Sequence, residues 1–205
     1  MVHTDLKLEN ILLKGGLVNR EGRDIETGRD SMSIRLIDFG SLDSGSAWHY
    51  HLVTTRHYRA PEILMGLRWG YECDIWSLGC ILVELSLGRI CFDARDLIEH
   101  LYLIQHMIGP IPKKMWVNCT INELRPFIRE GHIRSSSLNR QAYEEARRKP
   151  TLRRILDFDS SLSDLALWLL NPDPDERPRT DSILRHPFFN VFHKRSSFNY
   201  HGKSG

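Results

Sequence analysis

His3-Thr4-Asp5-Leu6-Lys7-Leu8-Glu9-Asn10, followed by Asp38-Phe39-Gly40 and Ala60-Pro61-Glu62, is the series from which the rest of this sequence can be ordered. Directly after Asn10, residues 11–13 (Ile-Leu-Leu) form a short apolar run, and residues 34–37 (Ile-Arg-Leu-Ile) form a second. Between them residues 15–31 are polar and rich in Gly, Arg and Asp. Two strands joined by a polar loop read as a hairpin, which places Asn10 and Asp38 near each other. Residues 41–53 lose apolar periodicity and read as a surface segment.

Downstream the pattern turns helical. Ile75, Leu78, Gly79, Leu82, Val83 and Leu85 recur at helical spacing and Ile81 fills the other side, so this helix is apolar nearly all round and should be central. Asp74 at its start reads as the N-cap. A second helix over 97–108 carries Leu97, Leu101, Ile104 and Ile108 on one stripe and stops at Gly109-Pro110. Residues 113–150 read as an irregular insert with a charged, partly helical end. Ser161 and Asp164 have the spacing of a capping box, with Asp in place of Glu, ahead of a helix over 162–170. Pro172, Pro174 and Pro178 make a loop, and Thr180 is expected to cap a last short helix ending at His186-Pro187. The predicted architecture is mainly α with a small β-hairpin, one unit over 1–190, and a disordered tail over 191–205.

Composition narrows the function classes. With 41% hydrophobic and 26% charged residues in 205, the chain can bury about one core. A net charge of +2 does not favour direct contact with nucleic acid, and the short runs Arg147-Arg148-Lys149 and Arg153-Arg154 read as a solvated helix face. Four cysteines without a CxxC pair suggest neither zinc nor a disulfide framework. No apolar run approaches the roughly 20 residues that cross a bilayer, and no secretory signal is recognisable, so an intracellular protein without membrane partners is expected.

The chemistry is concentrated in the first forty residues. Phosphoryl transfer to a hydroxyl needs a carboxylate that orients the nucleophile and accepts its proton, a cation against developing charge, and ligands for magnesium. Asp5, Lys7, and the pair Asn10 and Asp38 are those residue types in that order. Magnesium prefers hard oxygen ligands and keeps its waters, so one carboxamide and one carboxylate, completed by phosphates, suffice. Any one of these residues alone would be an ordinary turn residue; in order and joined by the predicted hairpin they form a specific signal.

On these residues the chain resembles the C-terminal lobe of a eukaryotic protein kinase, and Asp5-Leu6-Lys7-Leu8-Glu9-Asn10 is similar to the Ser/Thr class. Thr55-Arg56-His57-Tyr58-Arg59-Ala60-Pro61-Glu62 resembles the group that holds cyclin-dependent, MAP and LAMMER-type kinases. His3-Thr4-Asp5, Ser41 after Asp-Phe-Gly, the Trp69 region, and Cys73-Asp74-Ile75-Trp76-Ser77-Leu78-Gly79-Cys80 are similar to the LAMMER branch. Glu99-His100-Leu101 and Ile108-Gly109-Pro110-Ile111-Pro112 match that branch's signature helix; residues 102–107 depart from its acidic, Met-rich string, and Leu8 replaces a proline.

The resemblance implies Asp5 as catalytic base, Lys7 on the transferred phosphate of ATP, Asn10 and Asp38 holding Mg, Leu12 as the floor under adenine, and Thr55 bonded to the catalytic loop. It implies a buried Glu62–Arg177 bridge, and Asp74 anchoring the catalytic loop. Thr4, where many kinases have Arg, removes the need for a neutralising phosphate on the activation segment, such as at Thr54 or Tyr50. Arg59 is then open either to an external phosphate or acidic group, or to local pairing. Protein substrates, in particular Ser/Arg-rich proteins, and a nuclear location are also implied. The Gly-rich loop and strand Lys of a kinase would lie upstream of Met1. The expectation is therefore a kinase-like C-terminal lobe lacking the N-terminal β-rich lobe, with apolar surface uncovered on the helix over 75–87. Such a chain would be a Ser/Thr kinase by descent, incompetent alone, or else a non-catalytic protein-binding module.

Overall fold

The computed structural model describes residues 1–14, 33–44 and 51–190; the expected polar loop at 15–31, Tyr50 and the tail at 191–205 lie outside the described residues. Strands β1 (Ile11–Lys14) and β2 (Ser33–Leu36) pair antiparallel with Ile11 opposite Leu36 and Lys14 opposite Ser33. One step beyond the ladder, the Ile37 N–H donates to the Asn10 carbonyl at 3.0 Å, so the two chain segments are still joined where Asn10 and Asp38 leave it. Leu12, Leu13, Ile34 and Leu36 on this hairpin remain exposed.

The remaining described elements are mostly helical: α1 (Pro61–Leu64), α2 (Glu72–Leu87), α3 (Leu97–Met107), α4 (Lys113–Asn118), α5 (Arg140–Arg148), α6 (Leu152–Ile155), α7 (Ser160–Leu169) and α8 (Thr180–Ile183). As its all-round apolar pattern predicts, α2 is central: Trp76, Cys80, Ile81 and Val83 are buried, and Trp76 stacks on Phe92 with centroids 5.6 Å apart. Helix α7 lies against α2 so closely that a Cβ on Gly79 would stand 2.7 Å from Leu170 Cγ and 3.0 Å from Leu169 Cβ. The uncovered side expected on α2 is present at Leu78 and Leu85, 37% and 66% exposed, whereas Ile75, expected on the same surface, is buried among Leu165, Leu169 and Ile183.

Several capping expectations are corrected. Asp74 is not the N-cap of α2: the helix starts two residues earlier, and Asp74 sits in its first turn with its carboxylate directed at the backbone of His3 and Thr4. Helix α7 is capped by Asp159, which accepts from the Leu162 N–H at 3.0 Å, rather than by the Ser161 and Asp164 box. Thr180 is already inside α8, whose preceding Arg179 makes no side-chain cap. In each case a better-placed acceptor upstream, or none, ends the competition for the first free N–H groups. The region 113–150 is also more regular than expected. Besides α4 and α5 it holds a hairpin of β3 (Ile128–Arg129) and β4 (His132–Ile133), turned by Glu130 and Gly131 with φ of 54° and 80°. Its buried residues, including Trp116, Leu124, Ile133 and Ala146, are too widely spaced to produce a periodic signal.

His100 is 1% exposed and, among the described residues, neither ring nitrogen has a hydrogen-bond partner. Burial, with Arg59, His57 and Arg56 adding repulsion, pushes its pKa down to about 3. A histidine held neutral in the fold stabilises it fully above its unfolded pKa of about 6.5, and that stability is lost as pH falls below it. Unfolding free energy is expected to drop by about 2 kcal/mol between pH 8 and pH 5 from this group. Urea titrations of the parent and His100→Leu at both pH values check this: the variant should lose that part of the acid sensitivity.

Candidate active site

The segment from Val2 to Asn10 has almost no regular structure, so it must be held by side chains. Asp74 does most of this: its Oδ2 accepts from the His3 N–H at 2.6 Å and its Oδ1 from the Thr4 N–H at 3.0 Å. Burial raises the Asp74 pKa, and these two N–H donors oppose the rise. His3 is fixed from both ring nitrogens, its Nδ1 accepting from the Asp5 N–H at 3.3 Å and its Nε2 donating to the Ile37 carbonyl at 3.1 Å. That tautomer follows from the partners. The Thr4 hydroxyl donates to the Ser41 carbonyl at 2.8 Å, and Val2 pairs with Asp43 in a single antiparallel bridge. The loop is thereby tied to the segment after Asp-Phe-Gly by neutral hydrogen bonds.

Three predicted residues converge directly. Lys7 Nζ donates to Asp5 Oδ2 at 2.7 Å and to Thr55 Oγ1 at 3.1 Å, while the Thr55 N–H and hydroxyl both donate to Asp5 Oδ1, at 3.0 and 2.7 Å. Burial by itself raises the Asp5 pKa, but the bonds from Lys7 and Thr55 outweigh it and hold the carboxyl below its usual range. The bond to Asp5 raises Lys7 correspondingly, and the charges of Glu9 and Asp38 act on it in the same direction. A carboxylate kept ionised, with a hydroxyl and an ammonium fixed beside it, can accept a proton from an incoming hydroxyl.

Asn10 is buried, and its Nδ2 donates to the Asp5 carbonyl at 2.9 Å, which leaves the Oδ1 lone pairs for a ligand. Asp38 is exposed and has a left-handed backbone with φ of 63°. Among the described residues no three His, Cys, Asp or Glu side chains cluster as a metal site. One carboxamide oxygen and one carboxylate fit magnesium only in company with phosphate oxygens and water, which is how that ion binds. Leu12 stands on β1 opposite Arg35 and is 47% exposed.

Arg59 is used locally: its Nε donates to the Val53 carbonyl at 3.0 Å and its Nη2 to the Thr54 carbonyl at 2.6 Å. Thr54 between them has φ of 67°, a strained position for a β-branched residue. Arg59 thus clamps the turn that delivers Thr55 to Asp5. The sequence carries no mark of this strain, nor of Glu84, whose Oε2 accepts from the Tyr58 phenol at 2.5 Å. Glu84 and Glu9 both act on that phenol, with burial the larger cause of its raised pKa. The expected bridge is present: Arg177 Nη1 and Nη2 reach Glu62 Oε1 and Oε2 at 2.7 and 2.8 Å.

Comparison with known proteins gives the family. The chain is 36% identical over 205 residues to the serine/threonine-protein kinase AFC3 of Arabidopsis thaliana, covering 92% of this chain and 51% of that protein. It is 38% identical to the dual specificity protein kinase lkh1 of Schizosaccharomyces pombe (92% and 29% covered) and 37% identical to the dual specificity protein kinase CLK4 of Homo sapiens (95% and 42% covered). The chain spans about half the length, or less, of the curated relatives it matches. The crystal structure of the PF14_0431 kinase domain superposes with a TM-score of 0.77 at 32% identity, over 91% of this chain and 59% of that one. The protein kinase domain family matches this chain over residues 1–189, and the chain belongs to that family.

Proposed function

We propose that this chain is the helical lobe of a LAMMER-like serine/threonine kinase, which transfers the γ-phosphoryl of Mg-ATP to Ser and Thr hydroxyls of proteins once an N-terminal lobe completes the nucleotide site. The observation that carries this reading is the Asp5–Lys7–Thr55 network, with Asn10 bonded to the same loop. In it Asp5 accepts the proton of the attacking hydroxyl, Thr55 and Lys7 hold the Asp5 carboxylate in place, and Lys7 lies ready for phosphate charge. Asn10 and Asp38 would hold Mg, and Leu12 would meet the adenine. Bound Mg-ATP supplies the phosphoryl group and the charge that neutralises it. Ser/Arg-rich proteins are the proposed substrates, on the resemblance to LAMMER-type kinases. Under the same reading the protein acts in the nucleus.

The test is phosphate incorporation into a Ser/Arg-repeat peptide by the chain fused to an amino-terminal kinase lobe, together with melting in Mg-ATP. A ligand at 100 times its Kd stabilises by about 2.7 kcal/mol, so a rise in melting temperature is expected. No shift at millimolar Mg-ATP and no incorporation would leave a non-catalytic binding module.

The Thr4–Ser41 bond has a regulatory consequence. The catalytic loop meets the activation segment without an arginine awaiting a phosphate, so Thr54→Glu is expected to change the rate by less than about twofold. A tenfold rise, measured with the same peptide, would count against it.

A further inference from the structure

Beside the C-terminal end of α2 lies a cleft of about 600 Å³ that none of the residues proposed for phosphoryl transfer lines. Its apolar wall is made by Val83, Leu87, Ile90, Met107 and Ile155, with Ile90 36% exposed. Two cations, Arg89 and Lys149, border it. The backbone of Lys149 is fixed: its N–H donates to the Ala146 carbonyl at 3.1 Å, and His106 Nε2 donates to its carbonyl at 2.7 Å. Among the described residues neither Arg89 nor Lys149 forms an ion pair, and nor do the neighbouring exposed Arg148, Arg153 and Arg154.

Two carboxylates also line the cleft, Glu84 and Asp93. Glu84 is already engaged by the Tyr58 phenol, and Asp93 is exposed. At the Cys91 thiol, inside the cleft, burial pushes the pKa up to about 12; of the charges acting there, Lys149 and Arg89 oppose the rise and Glu84 alone adds to it. The cleft thus joins an aliphatic wall to two cations that form no ion pair among the described residues.

We propose that this cleft docks a linear acidic segment of a partner protein, an aliphatic side chain entering between Leu87, Ile90 and Met107 and its flanking carboxylates meeting Arg89 and Lys149. The apolar wall distinguishes this occupant from a nucleic acid, whose phosphates would use the arginines and leave the wall wet. This docking is independent of phosphoryl transfer and is read by binding alone.

The probe is a fluorescein-labelled peptide of alternating Leu and Glu, titrated with the full chain and followed by fluorescence anisotropy. Binding is expected, and Arg89→Glu combined with Lys149→Glu should weaken it about tenfold or more. Ile90→Ser should weaken it severalfold, whereas Arg153→Glu with Arg154→Glu, outside the cleft, should matter little. Replacing Leu by Ser in the peptide, which needs no protein variant, should abolish binding. The proposal is overturned if the parent does not bind the peptide, if the Ser peptide binds equally, if reversal at Arg153 and Arg154 costs as much as reversal in the cleft, or if poly-uridylate competes with the same variant dependence.

Discussion

Arg177→Ala is expected to lower the unfolding free energy by about 3–5 kcal/mol, because it leaves the Glu62 carboxylate buried without its partner. Both side chains are essentially inaccessible, and their two parallel N–H···O bonds are 2.7 and 2.8 Å long. The guanidinium does more than pair: Nε donates to the Asn171 carbonyl at 2.8 Å, Nη1 also donates to the Glu72 carbonyl at 2.8 Å, and the group stands 5.0 Å over the Trp76 ring. Three segments, at Glu62, at the start of α2 and after α7, therefore meet on one side chain. Arg177→Lys offers a single point charge to this fork and should recover only part of the loss. For a chain of this size each kcal/mol moves the melting temperature by about 2–4 °C, so Arg177→Ala should melt roughly 10 °C lower. A shift under about 2 °C would show that the bridge contributes little beyond its own desolvation cost.

Asp5→Asn is the change with the largest expected effect on phosphoryl transfer, a fall of about 10²–10⁴-fold in kcat for the chain fused to an amino-terminal lobe. The carboxamide retains an oxygen for Thr55 but cannot accept the proton, and it removes the charge that holds Lys7 at 2.7 Å. Stability should respond differently. A depressed carboxyl stabilises the fold above its unfolded pKa of about 3.9 and loses that contribution as pH falls through the lower folded value. Any difference in urea stability between parent and variant should therefore be present at pH 7 and vanish in strong acid. Asp5 is partly open to solvent, so that difference should be small. A variant with undiminished kcat would remove Asp5 from the role of base.

Asp5, Lys7, Asn10 and Asp38 stood out in the sequence because phosphoryl transfer calls for those residue types in that order, whereas Thr55 and Leu12 came from the resemblance alone; two short apolar runs around a polar stretch suffice to bring Asn10 and Asp38 to one end of a hairpin. The central position of α2 was also recognisable, since a helix apolar on every side has nowhere else to go. Arg59 was not. A loop cation is equally compatible with an outside phosphate and with its own backbone carbonyls, and only the left-handed turn at Thr54 makes the carbonyls of Val53 and Thr54 its nearest acceptors. Asp74 was half legible: its anchoring of the loop followed from resemblance, but local spacing alone made it a helix cap.

The sequence by itself determined the family, the mainly helical architecture and the identity of the polar groups near its start, because periodicity and short-range spacing are local properties. Tertiary structure decided which acceptor each donor takes: Asp74 Oδ2 for the His3 N–H and Oδ1 for the Thr4 N–H, the turn's own carbonyls for Arg59, and Glu84 for Tyr58; it alone formed the aliphatic cleft beside Arg89 and Lys149. Those choices join residues up to 71 positions apart. A buried donor takes whichever acceptor packing brings within about 3 Å, and distance along the chain carries no record of that.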